Sequence, residues 1–492
     1  MSIPPEGRDP SDVLAELEGL RGEDAPVHGG RVLAYVYDAG VEGLSAAGRA
    51  ALASFGEVNA LDPTVFPSVG RLENDLVGWG LNLLGGPEGS CGVVTSGGTE
   101  SCILAVLTAR QDWRRRGGQG RPVVVMPVTA HPAFAKAAHL LDMDLRVVPV
   151  DPEGMRVLPR DIEAALDEAG PAAALVIVSS PAYAHGVVDP VREVAALAAA
   201  RGVACHSDAC IGGLVLPYLR REGREIPDFD LSVPGVRSLS VDLHKYGYAS
   251  KGTSLLLYSD TEYRLGSYFT YSTWPGYPVV NTTLQSTKSA GPMAAAWTVS
   301  QVLGDPGYAR AVGRAIRATD RIVEAVAAIP GLRVLGSPDS TLIALAADGD
   351  EGAGGVDPFT LADRMRHRGW FIQPQPGIAG LPRNVHLTVQ PSSADTVDQF
   401  VLDLATAADE CRSAPWATAD PELSAAAASL DPDTLDEAAV AGLLEFAGLA
   451  GGGTPGLPED SAGIQALLES LPAPLRDRLL AGFFSMLFSA AR

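Results

Sequence analysis

From about residue 91 the chain alternates short, almost unbroken apolar runs with longer segments whose apolar positions recur every three to four residues. Residues 91–94 (CGVV), 122–127 (PVVVMP), 145–150 (LRVVPV) and 173–180 (AALVIVSS) read as strands. So do 202–208 (GVACHSD), 237–244 (RSLSVDLH) and 253–259 (TSLLLYS). Helical periodicity fills the gaps, over a segment opening at SGGTES, over 132–141, near 160–169 and from PVREVAALAAARG. Apolar strands buried on both faces and separated by helices predict an α/β fold with a mostly parallel sheet covered on both sides. In such sheets functional residues gather at the carboxyl ends of strands.

Beyond residue 290 the pattern changes. Residues 292–329 read as a long helix, broken near Gly304–Pro306. Residues 331–412 again mix strand runs (LRVLG, TLIALAA, WFIQP, NVHLTV) with a helix from Ala394, which predicts a smaller α+β domain. Four regions follow: an N-terminal segment over 1–60, a large domain over 61–290, a linking helix and small domain over 291–412, and a tail over 413–492. The tail has 11 acidic and 3 basic residues, a linker at Gly451–Gly453 and two or three short helices, the last from Leu475 to Leu487. No internal repeat is visible.

Composition narrows the function class. Of 492 residues 46% are apolar and 20% charged, which excludes a disordered or disulfide-scaffold protein. Thirty-seven basic against 59 acidic side chains give a net charge of −22, so nucleic acid and anionic membrane surfaces are poor partners. The N-terminus carries no apolar signal core and no run is long enough to span a bilayer. Five cysteines in apolar or helical contexts fit a reduced, cytoplasmic protein.

Four clusters carry candidate chemistry. Thr95-Ser96-Gly97-Gly98-Thr99-Glu100 joins a strand to a helix; its glycines admit a ligand to the backbone, and helix N-terminal N–H groups suit phosphate. It lacks dinucleotide and P-loop spacings. His206-Ser207-Asp208-Ala209-Cys210 ends a strand; a metal site from His206, Asp208 and Cys210 and a simple turn cap are the alternatives to a functional acid. Ser240-Val241-Asp242-Leu243-His244-Lys245-Tyr246-Gly247-Tyr248 sets a lysine at a strand end, where an apolar wall can strip its proton and let it attack a carbonyl. Thr129-Ala130-His131-Pro132 offers a histidine that is otherwise a helix cap.

One cofactor uses all four in order along one sheet: pyridoxal 5'-phosphate. His131 precedes Asp208 by 77 residues and Asp208 precedes Lys245 by 37. Lys245 would hold the cofactor as a Schiff base, and Asp208 would pair with the pyridine nitrogen and keep the ring an electron sink. His131 would stack on the ring, and Gly98, Thr99 and His244 would hold the phosphate.

These motifs resemble the pyridoxal-phosphate-dependent group II decarboxylase superfamily, and its sphingosine-phosphate lyase branch most. The resemblance runs from about residue 28 to 410. It rests on Phe66-Pro67, CGVVTSGGTES (91–101), Thr129-Ala130-His131, SPAYAHGVVDP (180–190), HSDACIGG (206–213), DLHKYGYASKG (242–252) and NVHLT (384–388). It implies the type I, aspartate-aminotransferase-like fold and a homodimer with active sites shared between subunits. It also implies that Tyr183, Lys251 and one of Tyr35 and Tyr37 handle the substrate. Two departures stand out. Asn59-Ala60-Leu61-Asp62-Pro63 replaces the Asn-Pro-Leu-His-Pro of the lyases, so an acid stands where a histidine would help hold a substrate phosphate. Ser286-Thr287-Lys288 replaces Gly-Ser-Arg in the loop that reaches the partner's cofactor phosphate. The expected activity is carbon–carbon cleavage of a β-hydroxy amine or amino acid by retro-aldol chemistry. Amino-acid decarboxylation, with Arg383 or Arg71 holding a carboxylate, is the alternative. A non-catalytic dimeric scaffold is the remaining one.

Overall fold

In the computed structural model, residues 3–419, 421, 424, 430–435, 437–446 and 460–488 are described. The proposed linker at Gly451–Gly453 lies outside them.

In chain order the elements begin with α1 (Pro10–Gly19), α2 (Leu44–Ser54) and α3 (Pro67–Leu83). Strands and helices then alternate: β1 (Cys91–Thr95), α4 (Gly98–Arg115), β2 (Val123–Pro127), α5 (Ala133–Leu140), β3 (Asp144–Val148), α6 (Pro159–Ala169), β4 (Ala173–Ser179), α7 (Val191–Ala200), β5 (Ala204–Asp208), α8 (Leu216–Arg221), β6 (Val236–Asp242) and β7 (Ser254–Tyr258). They form a seven-stranded sheet of order β1-β7-β6-β5-β4-β2-β3. The five strands from β6 to β3 run parallel, and β7 lies antiparallel between β6 and β1. The mostly parallel sheet expected from the apolar runs is therefore present. β4 is buried along its whole length because helices cover both faces.

This order brings the carboxyl ends of β1, β2, β4, β5 and β6 to one edge. Thr95 and Asp242 both pair with Ser254, the first residue of β7. The loops that leave these strand ends carry the four candidate clusters.

After α9 (Thr261–Arg264), β8 (Phe269–Tyr271) and β9 (Val279–Asn281) form a projecting hairpin. α10 (Gly291–Ala327) is one long helix interrupted at Gly304, whose φ of 58° and ψ of 174° are non-helical, two residues before Pro306. The break is where the Gly–Pro pair predicts it. β10 (Leu332–Val334), β11 (Leu342–Ala347), α11 (Pro358–Arg366), β12 (Gln373–Gln375), β13 (Asn384–Thr388) and α12 (Val397–Arg412) complete a second, antiparallel sheet of order β10-β11-β13-β12 with two helices. Its core, including Ile343, Leu345, Trp370, Leu387 and Phe400, is separate from that of the large sheet.

The tail contributes α13 (Glu437–Phe446), α14 (Ala462–Ser470) and α15 (Ala473–Leu487). α14 is fastened to the small sheet by charge. Asp363 on α11 accepts the N–H groups of Ser461 and Ala462 at 3.0 and 2.8 Å, capping α14 from outside. Arg383 bridges Asp357 (3.2 Å) and Glu469 and also donates to the Ala417 carbonyl (3.0 Å). Held between Asp357 of the small domain and Ala417 and Glu469 of the tail, Arg383 is a structural residue, which corrects its reading as a substrate-carboxylate ligand. Arg71, the other candidate, is exposed on α3. No helix among the described residues is long and apolar enough to cross a membrane.

Candidate active site

A cavity of about 330 Å³ opens at the convergent strand ends. Gly98 and Thr99 from α4, His131 after β2, Tyr183 after β4, Asp208 and Cys210 at the end of β5, and His244 and Lys245 after β6 all line it. The sequence-predicted lysine, acid, histidine and glycines thus meet in one place.

Lys245 is in a turn and not on a strand, because β6 ends at Asp242, two residues sooner than the apolar run suggests. The turn folds Lys245 back so that its Nζ lies 2.8 Å from Asp242 Oδ2. Burial works against the Lys245 ammonium, but the Asp242 carboxylate outweighs it and holds the pKa well above the ordinary lysine range. Asp242 is 2% exposed; burial would raise its pKa, yet Lys245 and His244 keep it below the usual carboxylate value. Its second oxygen has no hydrogen-bond partner. Asp242 is the site residue that the sequence reading missed.

Asp208 sits at the last position of β5. Its Oδ1 accepts the Cys210 N–H at 3.1 Å and the Ser240 hydroxyl at 3.2 Å. His131 is kept neutral by burial, and its Nδ1 accepts the Ala133 N–H at 3.2 Å. His244 is likewise held below its ordinary value by burial; its Nδ1–H donates to the Thr253 carbonyl at 2.8 Å. The metal alternative does not survive as first drawn, because the His206 ring turns to Ser238 and Ser240. Cys102 instead approaches Asp208 and Cys210, with ligand atoms within 4.8 Å of one another. Contact with Cys102, burial and neighbouring carboxylates push the Cys210 thiol well up.

Glycine is required where α4 begins. No side chain caps the helix, and its first residues line the cavity, so its first N–H groups are left to serve as an anion cradle. A Cβ on Gly98 would stand 2.8 and 2.9 Å from the Asp242 carboxylate oxygens and 3.0 Å from Cys210 Sγ. Gly97, at φ 151°, lies beside the His244 ring. Gly98→Ala is therefore expected to displace Asp242 and weaken pyridoxal-phosphate binding at least tenfold, about 1.4 kcal/mol, read by titrating the cofactor's visible absorbance.

A second cavity of about 250 Å³ shares His244 and is lined by Tyr35, Tyr37, Arg49 and Lys251. Lys251 Nζ donates to the carbonyls of His244 (3.2 Å) and Tyr35 (3.4 Å) and lies 4.6 Å from the Tyr37 ring centre. Burial, with the charge of Lys245, lowers its pKa to about 8. Burial pushes Tyr37 up to about 12. Tyr35 holds a left-handed φ of 62° and is largely exposed. Tyr183 stacks on His386, with centroids 4.3 Å apart, and donates to Gln373 Oε1 at 2.9 Å; burial raises its pKa far above the phenol value.

Asn59, Asp62, Ser286 and Thr287 are not brought to Lys245 within one chain. Asp62 and Ser286 line a separate cavity of about 560 Å³ beside the β8–β9 hairpin, and Thr287 is exposed on the same loop. Asp62 accepts the Thr64 N–H and hydroxyl at 2.9 and 2.6 Å, which lower its pKa. Asn59 caps its own turn through Leu61 N–H at 3.0 Å. Lys288 is spent on Thr283 and the Val94 carbonyl.

A cavity with an anion cradle, a lysine in a tight turn, an acid and a neutral histidine defines a fold-type I pyridoxal-phosphate site, and the donor set fits that cofactor. The comparisons agree. The model of the pyridoxal-dependent decarboxylase conserved domain matches residues 35–342, and the chain belongs to that family. Residues 421–486 match "Pyridoxal-dependent enzyme, C-terminal putative HTH domain". The chain is 34% identical over 411 residues to the sphingosine-1-phosphate lyase of Arabidopsis thaliana, covering 82% of this chain and 73% of that one. It is 31% identical to "Probable L-tyrosine/L-aspartate decarboxylase" of Methanothrix thermoacetophila, covering 72% and 85%. Among solved structures, the sphingosine-1-phosphate lyase of Burkholderia pseudomallei aligns with a TM-score of 0.78 at 32% identity, covering 84% and 93%. The protein is a pyridoxal-phosphate-dependent lyase.

Proposed function

We propose that this lyase cleaves the Cα–Cβ bond of a β-hydroxy amine that carries no phosphate. When bound, pyridoxal phosphate supplies an electron sink for the broken bond. In this reading Lys245 tethers the cofactor, Asp208 holds the proton on its ring nitrogen, and His131 covers its face. The α4 N-terminus with Gly98, Thr99 and His244 takes the phosphate.

The observation that carries the reading is Lys251. Its amine, with a pKa of about 8, stands in a cavity that shares the lining residue His244 with that of Lys245 and is walled by Tyr35 and Tyr37. Once its ammonium has lost a proton, the neutral Lys251 amine can accept the β-hydroxyl proton as the bond breaks. Tyr183, held by Gln373 and His386, orients the substrate oxygen. The acid at Asp62, where the lyases carry histidine, supports an unphosphorylated substrate.

A proton acceptor must be neutral, so kcat/KM is expected to rise as pH passes through about 8. Lys251→Arg keeps the charge but cannot lose it, and should abolish that limb and cost roughly 10²–10⁴-fold in rate. An unchanged profile would remove Lys251 from this role. Incubation with β-hydroxy amines, sphingosine-1-phosphate and common amino acids should release aldehyde from the unphosphorylated amines. Release of CO₂ from amino acids alone would assign a decarboxylase instead.

The enzyme acts as a homodimer with shared sites. The exposed aromatic residues Phe269, Tyr271, Trp274 and Tyr277 of the β8–β9 hairpin support this, since an apolar patch of that kind marks a contact surface. The neighbouring Ser286-Thr287 loop would then reach the partner's cofactor phosphate, and Asn59 and Asp62 its substrate. Five free cysteines are in keeping with a cytoplasmic location.

A further inference from the structure

Behind Asp208 lies a row of buried polar side chains that the reaction described so far does not use. The β6 sequence Arg237-Ser238-Leu239-Ser240-Val241-Asp242 alternates, so Ser238, Ser240 and Asp242 share one face of the strand. β5 runs beside it, with His206 paired to Ser238 and Asp208 to Ser240. His206, Ser238 and Ser240 are each 0% exposed. The His206 ring lies between the two hydroxyls, Nδ1 at 2.8 Å from Ser238 Oγ and Nε2 at 3.1 Å from Ser240 Oγ. Ser240 Oγ in turn donates to Asp208 Oδ1 at 3.2 Å. The edge of the Phe134 ring packs on the histidine with centroids 5.5 Å apart.

The direction of the row follows from hydrogen counting. A carboxylate accepts only, so the Ser240 proton goes to Asp208. Ser240 Oγ then has lone pairs alone to offer, and His206 must present Nε2–H to it. Burial pulls the His206 pKa down to about 4, so the ring is neutral and carries one N–H. Nδ1 is therefore bare and accepts the Ser238 hydroxyl proton. Every dipole in the row points its hydrogen toward Asp208.

We infer that Ser238, His206 and Ser240 form a one-way donor relay that positions Asp208 and spreads its negative charge, so that the proton shared with the cofactor stays on the ring nitrogen. The inference rests on the assignment of Asp208 as the partner of that nitrogen. Ser240 and His206 are positioning residues, acting only through Asp208. Without the Ser240 hydroxyl the Asp208 oxygen is a stronger proton acceptor, the shared proton moves toward it, and the ring withdraws electrons less well.

The test loads the full chain with cofactor labelled with ¹⁵N in the ring and follows the nitrogen signal by NMR, with kcat and KM measured in parallel. Ser240→Ala is expected to move the signal toward that of unprotonated pyridine and to lower kcat about tenfold with KM changed less than twofold. Ser240→Thr, which keeps the hydroxyl, should restore both. Ser238→Ala, two bonds further back, should give a smaller shift of the same sign. If Ser240→Ala and Ser238→Ala both leave the nitrogen signal in place while Asp208→Asn moves it, the relay is refuted and the Asp208 assignment stands. If Asp208→Asn also leaves it in place, that assignment fails first. Should Ser240→Ala not retain cofactor, Ser238→Ala decides alone, and an unshifted signal there overturns the relay.

Discussion

Lys245→Ala is expected to abolish the cofactor's visible absorbance and to reduce turnover roughly 10³-fold or more, since no other amine replaces its nucleophile. The same substitution has a second effect, on stability. Asp242 is buried with Lys245 as its ion-pair partner, and its other oxygen is already unpartnered. Removing the ammonium leaves an uncompensated buried charge, which typically costs about 3–5 kcal/mol. In the parent, the depressed Asp242 pKa contributes stability above the unfolded carboxylate value, lost as pH falls through the folded one. In Lys245→Ala only His244 and the Ser254 hydroxyl still oppose burial, and the Asp242 pKa is expected to rise above that of the unfolded chain. The native state then binds the extra proton, so stability falls as pH rises from about 4 toward 7. Urea denaturation of the cofactor-free proteins at pH 5 and pH 7 should show this reversed dependence. Adding Asp242→Asn to Lys245→Ala should restore stability at pH 7 without restoring absorbance. If the single variant were as stable as the parent at both pH values, the ion pair would not bear on the fold.

This coupling explains what was legible in the chain and what was not. The apolar runs marked the central strands of the large sheet, such as β4 and β5, because burial on both faces leaves no other composition open to them. Their order was not legible: nothing in a run such as AALVIVS says that β7 enters antiparallel between β1 and β6. The β8–β9 hairpin and helices α2 and α3 also escaped. The hairpin strands are only three residues long, and α2 and α3 carry glycines at Gly48, Gly70, Gly78 and Gly80 that dilute helical periodicity. Lys245, Asp208, His131 and the Gly97-Gly98 turn stood out as polar or flexible residues at strand ends. Asp242 did not, because the run was read through to His244, so an acid at the true strand end passed as strand interior. The alternation Ser238, Ser240, Asp242 was a usable signal, since a polar face on a fully buried strand must find partners. Arg383 misled for the opposite reason. Its partner Glu469 is 86 residues away in the tail, and no local pattern announces such a contact.

Asp208→Asn is expected to leave the fold and the tether intact and still remove most of the catalysis. Asparagine has the same shape, and its carbonyl oxygen can accept both the Cys210 N–H and the Ser240 hydroxyl that Asp208 Oδ1 receives. It brings no charge to the ring nitrogen, so the nitrogen has no reason to keep its proton and the ring no longer draws off the electrons of the breaking bond. Loss of one such preorganised interaction is worth roughly 3–4 kcal/mol in the transition state. That corresponds to a fall of roughly 10²–10³-fold in kcat. Cofactor binding should fall far less, because Lys245 and the α4 N-terminus remain. Absorbance titration and steady-state kinetics on one preparation separate the two effects. Wild-type turnover with an altered spectrum would show that charge at position 208 is not what drives the bond to break.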